Sequence, residues 1–143
     1  MIGGPVLILA VAFVAIVALS ATSRADVPRD ATVSLIQLIA NPASFDGKRV
    51  QLTGYVVLEV ENTAVYLHES DAKYGITRNA VWLDVPLGGD SRRVQFHQRY
   101  VLIEGTFSAE RRGHRGLFGG ALENIGRLEL VEPRPGPLVP APH

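Results

Sequence analysis

Residues Arg49 to Val85 read RVQLTGYVVLEVENTAVYLHESDAKYGITRNAVWLDV, and three β-strands are predicted within them. From Arg49 to Glu59, apolar side chains occupy every second position except Gly54, and more polar side chains occupy most of the positions between them. This alternation is the pattern of a half-buried β-strand. Gly54 interrupts that strand and indicates a bend or a bulge. We therefore predict a long, bent first strand at Arg49–Glu59 that serves both halves of a small barrel.

Two more strands follow within the same stretch, at Ala64–His68 and Ala80–Val85. The polar insertion Glu69–Asn79 separates them, and Gly75 inside it is typical of a turn or a helix end. Alternation within both strands predicts that each has one inward and one outward face.

Two further strands are predicted at Tyr100–Phe107 and Ala121–Val131, with a bulge at Gly126. A glycine- and arginine-rich loop at Ser108–Gly120 joins them, and apolar residues at helical spacing predict a short helix at Val33–Ala40. The pattern predicts a mostly β fold, a five-stranded OB-like barrel with one short N-terminal helix. A small β-sandwich is the alternative.

The N-terminal segment carries an apolar run, Val6–Leu19, followed by small residues that end at Ala25. This pattern predicts a signal peptide that is cleaved after Ala25. The competing interpretation is an uncleaved membrane anchor at residues 2–21. Both interpretations place the folded part outside the cytoplasm, in the periplasm or secreted.

The predicted organisation has four parts. The C-terminal part is rich in proline, which cannot donate to a β-ladder, so we expect an extended tail there. The parts are a signal peptide or anchor at 1–25, a leader with the short helix at 26–48, the barrel at 49–131 and the Pro-rich tail at 132–143.

Composition excludes several functional classes. The chain has 143 residues, no cysteine, and 14 basic against 14 acidic residues. The absence of cysteine excludes disulfides, thiolate metal sites and cysteine nucleophiles. A zero net charge argues against a general electrostatic grip on nucleic acid.

Aromatic residues on two neighbouring strands form the first candidate site. Tyr66 and His68 share one parity, and Trp82 has the matching parity on the next strand, so all three are expected on one outer surface. Stacked aromatics on such a face hold bases or sugars in OB-type barrels. The alternative is that Tyr66 and Trp82 pack under the insertion as a second small core.

The insertion and the glycine-rich loop supply the other candidate residues. Tyr74, Arg78 and Asn79 suit a lid over the aromatic face, although a solvated loop is the alternative and Asn79 is also suited to capping the end of the insertion. His114 and Arg115 lie in a glycine-rich segment whose backbone N–H groups suit an anion, although a plain hairpin loop is the alternative.

Neither metal binding nor catalysis has a recognisable pattern. The four histidines have no short mutual spacing, and no glycine–serine–glycine elbow is present. We therefore predict no catalytic residues, no metal and no cofactor.

Three blocks of the chain carry a resemblance: LIANPASFDGKRVQLTGY (38–55), YLHESDAKYGITRNAVWLD (66–84) and GHRGLFGGALENIGRLEL (113–130). Together they resemble a family of small uncharacterised bacterial proteins with an OB-like fold. The resemblance covers most of the predicted barrel, and it implies the fold but no activity.

We therefore predict an exported binding module of the cell envelope rather than an enzyme. Its partner is expected to be an envelope protein, a glycan or a small anionic ligand, and membrane contact is expected only through residues 2–21 if they are retained. One alternative is a small hydrolase that uses His68 or His114 as a base. A second alternative is a single-stranded nucleic-acid binder, by analogy with other OB folds.

Overall fold

The computed structural model describes residues 31–86 and 90–136, and the fold there is mostly β, as predicted. The predicted signal segment, the loop residues 87–89 and the tail beyond residue 136 lie outside the described residues. The elements are β1 (Ala31–Thr32), α1 (Leu35–Ala40), β2 (Arg49–Glu59), β3 (Asn62–Tyr66), α2 (Glu69–Lys73), β4 (Ala80–Leu83), α3 (Asp90–Phe96), β5 (Arg99–Ser108) and β6 (Ala121–Leu130).

The six strands form one sheet in the order β1-β2-β3-β4-β6-β5, and β5 also pairs with β2. β2 is antiparallel to both β3 and β5, and β5 is antiparallel to β6. The pairings β1–β2 and β4–β6 are parallel and short. β2 is therefore the strand on which the sheet depends, because three other strands pair with it.

Gly54 lies where β2 changes its partner. β1 pairs with β2 at Val50, before Gly54, and β3 pairs with it from Tyr55 onwards. A Cβ at Gly54 would lie 2.5 Å from a methyl carbon of Val65 and 2.7 Å from the carbonyl oxygen of Tyr66. The absence of a side chain at Gly54 thus allows the end of β3 to lie close to β2. The pairing with β5 continues through Gly54 without a register shift, so the predicted bend does not involve a bulge.

The main hydrophobic core lies on the inner face of the sheet. Alternate residues of β2, β5 and the neighbouring strands point into it, and the helix residues Leu35 and Leu38 close one end. The most deeply buried strand residues of this core are Val50, Leu52, Val56, Val65, Val81, Leu83, Val101, Ile103, Phe107 and Leu122.

The expectation of a single helix is wrong, because the described residues contain three α-helices. The predicted helix begins at Leu35 rather than Val33, since Ser34 caps it. The Ser34 hydroxyl accepts from the backbone N–H of Gln37 at 3.2 Å, and the Gln37 side chain accepts from the Ser34 N–H at 2.8 Å. This reciprocal arrangement is a capping box.

The other two helices come from polar segments without a clear apolar repeat. α2 starts the insertion, where the buried Asp71 carboxylate accepts from the backbone N–H of His68 at 3.1 Å. α3 packs its last residue, Phe96, into the core, and the following imidazole, at His97, accepts from the N–H of Leu58 through Nδ1 at 3.0 Å. His97 thereby satisfies a β2 donor beyond the end of the β5 pairing.

Several predicted strand bounds need correction. β3 ends at Tyr66 rather than His68, because His68 turns into the insertion as the residue before α2. β4 ends at Leu83 rather than Val85. The irregularity predicted at Gly126 is present as a register shift, in which residues 124–126 stand opposite the single residue Gly105.

Candidate functional site

The predicted aromatic face is the second core of the molecule. Ala64 pairs with Trp82 and Tyr66 pairs with Ala80, so both aromatic side chains lie on the outer side of the sheet as expected. Tyr66 is only 1% exposed, and Trp82 is half-buried. The Tyr66 hydroxyl donates to Asn62 Oδ1 at 2.6 Å. Tyr66 therefore presents no open ring for stacking. A second small core is present, as in the alternative, but the glycine-rich loop covers it in addition to the insertion.

The glycine-rich loop covers this second core. Phe118 is 1% exposed, and its ring meets the Trp82 ring edge-on at 5.3 Å. Gly113 has a φ of +61°, and a Cβ there would lie 2.5 Å from the Trp82 ring. Both contacts hold the loop against the outer face of the sheet. The cluster comprises Tyr55, Val57, Ala64, Tyr66, Ala80 and Phe118, with Ala72 and Trp82 at its edge.

The charged residues of the same loop do not converge on one point. Arg111 donates to Glu123 at 2.7 Å and to Asp84 at 3.0 Å, and these two carboxylates raise the pKa of its guanidinium. His114 Nε2 lies 4.0 Å from a carboxylate oxygen of Glu61, is shielded from solvent and has no hydrogen-bond partner among the residues that the structure describes. Arg115 is exposed and has a φ of +54°.

The insertion residues are arranged around one carboxylate. Asp71 is 7% exposed, and it accepts from the His68 backbone N–H and from Asn79 Nδ2, both at 3.1 Å. Tyr74 is 74% exposed, and Arg78 is also exposed. Asn79 thus ties the two ends of the insertion together instead of lining an open site, while Tyr74 and Arg78 face solvent.

A polar cleft that sequence reasoning missed lies beside β2. We call it the β2 cleft; its volume is about 250 Å³. Strand β2, helix α2 and the residue before β5 form its walls. It is lined by Tyr55, Val57, Glu59, Asn62, Glu69, Ala72, Lys73 and Gln98.

The floor and the rim of the β2 cleft differ in chemistry. Tyr55 is 8% exposed and Val57 is 5% exposed, and with Ala72 of α2 they form an apolar floor. The polar lining residues are mostly exposed and stand around that floor. Tyr100 supports the floor, because its ring meets Tyr55 edge-on at 5.4 Å.

The carboxylates of the β2 cleft have no internal partner. Among residues 31–86 and 90–136, the side chains of Glu59 and Glu69 make neither a hydrogen bond nor an ion pair. The Lys73 ammonium is placed differently, at 5.8 Å from the centre of the Tyr74 ring. Burial raises the pKa of Tyr55, and the nearby negative charge of Glu69 raises it further. The rim therefore offers two carboxylates to a bound molecule.

A second cavity is apolar and lies where α3 meets the core. Its free volume is about 10 Å³, which is room for no more than about one water molecule. Val56, Leu83 and Phe96 are among the residues around it. The protein's own side chains fill this space, so it has no room for a ligand of the size that the β2 cleft could hold.

No group of three or more His, Asp or Glu side chains in the described part of the chain is placed to hold a metal ion. No helix among residues 31–86 and 90–136 has the length and apolar character needed to cross a membrane.

Comparison with models of protein families, with curated proteins and with solved structures found no match for this chain.

Proposed function

We propose that this protein is an exported, non-catalytic binding module of the cell envelope, built on an OB-like barrel. The observation that carries the proposal is the β2 cleft, an open polar depression with an apolar floor and two carboxylates that have no partner among the described residues. Convergent polar groups around an apolar surface are typical of ligand sites.

The order of the strand pairings supports the OB-like barrel. Starting from β2, the pairings run through β3, β4, β6 and β5 and return to β2. Within this ring of five strands each strand pairs with two of the others, and one helix lies between β4 and β5; this arrangement suits a small Greek-key barrel of the OB type.

The N-terminal sequence supports export. The apolar run Val6–Leu19 and the small residues that end at Ala25 have the order of a signal peptide. An anchor at residues 2–21 remains the alternative, and it would place the same module at the outer side of a membrane.

The chemistry of the described residues favours binding over hydrolysis. His68 and His114 are the bases that a hydrolase would use, but neither imidazole is hydrogen-bonded to a serine or threonine hydroxyl in the described ranges. A serine or threonine nucleophile is commonly activated by such a contact with a base. Nucleic-acid binding is favoured less, because Tyr66 is buried and single-stranded binding relies on exposed rings.

Site-specific photo-cross-linking of the full-length protein in the envelope of its own cells tests the proposal. The photoreactive residue replaces Gln98 or Lys73 at the β2 cleft, and Glu110, an exposed residue of the glycine-rich loop, serves as the control position. We expect one captured component at the cleft positions and none at the control.

Mass spectrometry of the captured material also reads the N-terminus, which is expected to begin at Asp26. A chain that begins at Met1 would favour the anchor. Equal capture at Gln98 and Glu110, or no capture at either, would contradict the binding-module proposal.

A further inference from the structure

We propose that the β2 cleft binds a neutral sugar ring, such as one unit of an envelope glycan. This inference rests on the proposed function, because it names the ligand class of the same cleft. It is carried by the match between the two surfaces of the cleft and the two surfaces of a pyranose ring.

A pyranose ring has apolar faces made of C–H groups and an edge that carries hydroxyls. The floor of the β2 cleft is apolar, with the Tyr55 side chain, Val57 and Ala72 side by side. Protein aromatic and aliphatic groups commonly form the surface on which such a ligand rests. A ring that lies flat on this floor turns its hydroxylated edge towards the rim.

The rim offers both donors and acceptors. Glu59 and Glu69 supply carboxylate oxygens, which only accept. The amides of Asn62 and Gln98 donate and accept, and the Lys73 ammonium donates. A sugar hydroxyl both donates and accepts, so a mixed rim of this kind satisfies it, and hydrogen bonds to charged groups are the stronger ones.

The charges on the rim disfavour a small anion, which would face Glu59 and Glu69, two carboxylates without a hydrogen-bond or ion-pair partner in the described residues. A simple cation would be attracted by these two carboxylates, but it would also meet the Lys73 ammonium and would leave the apolar floor uncovered. A neutral, hydroxyl-rich ring meets no charge repulsion and covers the floor.

The size of the cleft selects a small ligand. Its volume of about 250 Å³ is just below the range of about 300–1,000 Å³ that is typical of pockets for drug-sized molecules. One ring fits such a space better than an extended chain does. A longer glycan would place one unit in the cleft and continue outside it.

Saturation-transfer NMR on the full-length protein in detergent micelles tests the ligand class. The probes are glucose, galactose and N-acetylglucosamine, with citrate as the anionic comparison and spermidine as the cationic one. We expect saturation of the ring C–H protons of at least one sugar, with weaker transfer to citrate and spermidine.

Variants of cleft residues test whether the saturation transfer to the sugar arises from binding at the β2 cleft. Replacing Glu69 or Glu59 by alanine is expected to weaken sugar binding about 10-fold, because each change removes a charged hydrogen-bond acceptor. Glu110→Ala changes an exposed glutamate outside the cleft and is expected to keep the wild-type signal. Circular dichroism of each variant checks that it is folded.

The outcomes separate the two proposals. Preferential binding of citrate or spermidine, or sugar binding that is unchanged in Glu69→Ala and Glu59→Ala, would overturn the sugar assignment. If no sugar binds while photo-cross-linking at Gln98 still captures a protein or a lipid, the sugar assignment fails and the binding module stands. If neither experiment detects a ligand at the cleft, both proposals fail.

Discussion

Replacing Phe118 by alanine tests whether the glycine-rich loop is fixed to the outer face of the sheet. Phe118 is 1% exposed and meets Trp82 edge-on at 5.3 Å. Its removal takes away a buried ring together with an aromatic contact of about 0.5–1.5 kcal/mol. Phenylalanine-to-alanine changes in cores cost about 3–5 kcal/mol. Because a loop at the edge of the sheet relaxes more easily than a central strand, we expect a loss of about 3 kcal/mol here.

Urea unfolding followed by far-UV circular dichroism measures this loss. If the free energy of unfolding falls by about 1.5 kcal/mol for each 1 M of urea, a loss of about 3 kcal/mol in stability lowers the urea concentration at the unfolding midpoint by about 2 M. Trp82 is the only tryptophan in the chain, so its fluorescence reports the same contact directly. We expect its emission to shift to the red in native Phe118→Ala, because the ring gains contact with water.

Leu117→Ala is the matched control, since the side chain next to Phe118 in the chain is 44% exposed. We expect it to cost less than about 1 kcal/mol, as surface changes commonly do. A loss in Phe118→Ala that is no larger than in Leu117→Ala, with unchanged Trp82 emission, would refute the packing described for the loop.

Two further predictions concern the glycine-rich loop and the hydrogen bonds of the Glu104 carboxylate. Gly113→Ala is expected to destabilise the protein more than Gly116→Ala in urea unfolding; both glycines have positive φ, at +61° and +67°, but only the Cβ at Gly113 would collide with Trp82. Equal losses would argue against that contact. The pKa of Glu104 lies below its usual 4.5 because the carboxylate accepts hydrogen bonds from Gln51 and Arg127. Its folded pKa is thus below its unfolded pKa, so its contribution to stability is present above about pH 4.5 and is lost as the pH falls through the folded value. Unfolding midpoints measured from pH 6 to about pH 3 should therefore fall more steeply in the wild type than in Glu104→Gln, and parallel curves would contradict this.

The strands were largely predictable because their side chains alternate. The bounds of β2, Arg49–Glu59, are those predicted, and β5 and β6 agree within one residue at each end. The two extra helices were not predictable in the same way. α2 depends on the buried carboxylate of Asp71. Of the α3 side chains whose burial is described, Phe96 alone lies in the core, so neither helix shows a repeating apolar face that a pattern can detect.

The placement of the aromatic residues was predictable in part. Strand parity correctly placed Tyr66 and Trp82 on the same side of the sheet. The alternation of residues along a strand does not show, however, which other part of the chain covers that side of the sheet. The covering residue, Phe118, comes from a loop about fifty residues further along the chain, and its position depends on the β4–β6 and β5–β6 pairings.

Local alternation and composition were enough to predict five of the six strands of the described residues, the side of the sheet that their residues face, and the absence of cysteine chemistry. The two-residue strand β1 carries no such pattern and was missed. The location of the proposed ligand site, in contrast, follows from the tertiary structure. The β2 cleft joins Tyr55 and Glu59 of one strand to Glu69 of α2 and to Gln98. These residues become neighbours because β2 pairs with β3 on one side and with β5 on the other, and such long-range pairing leaves no local mark in the chain.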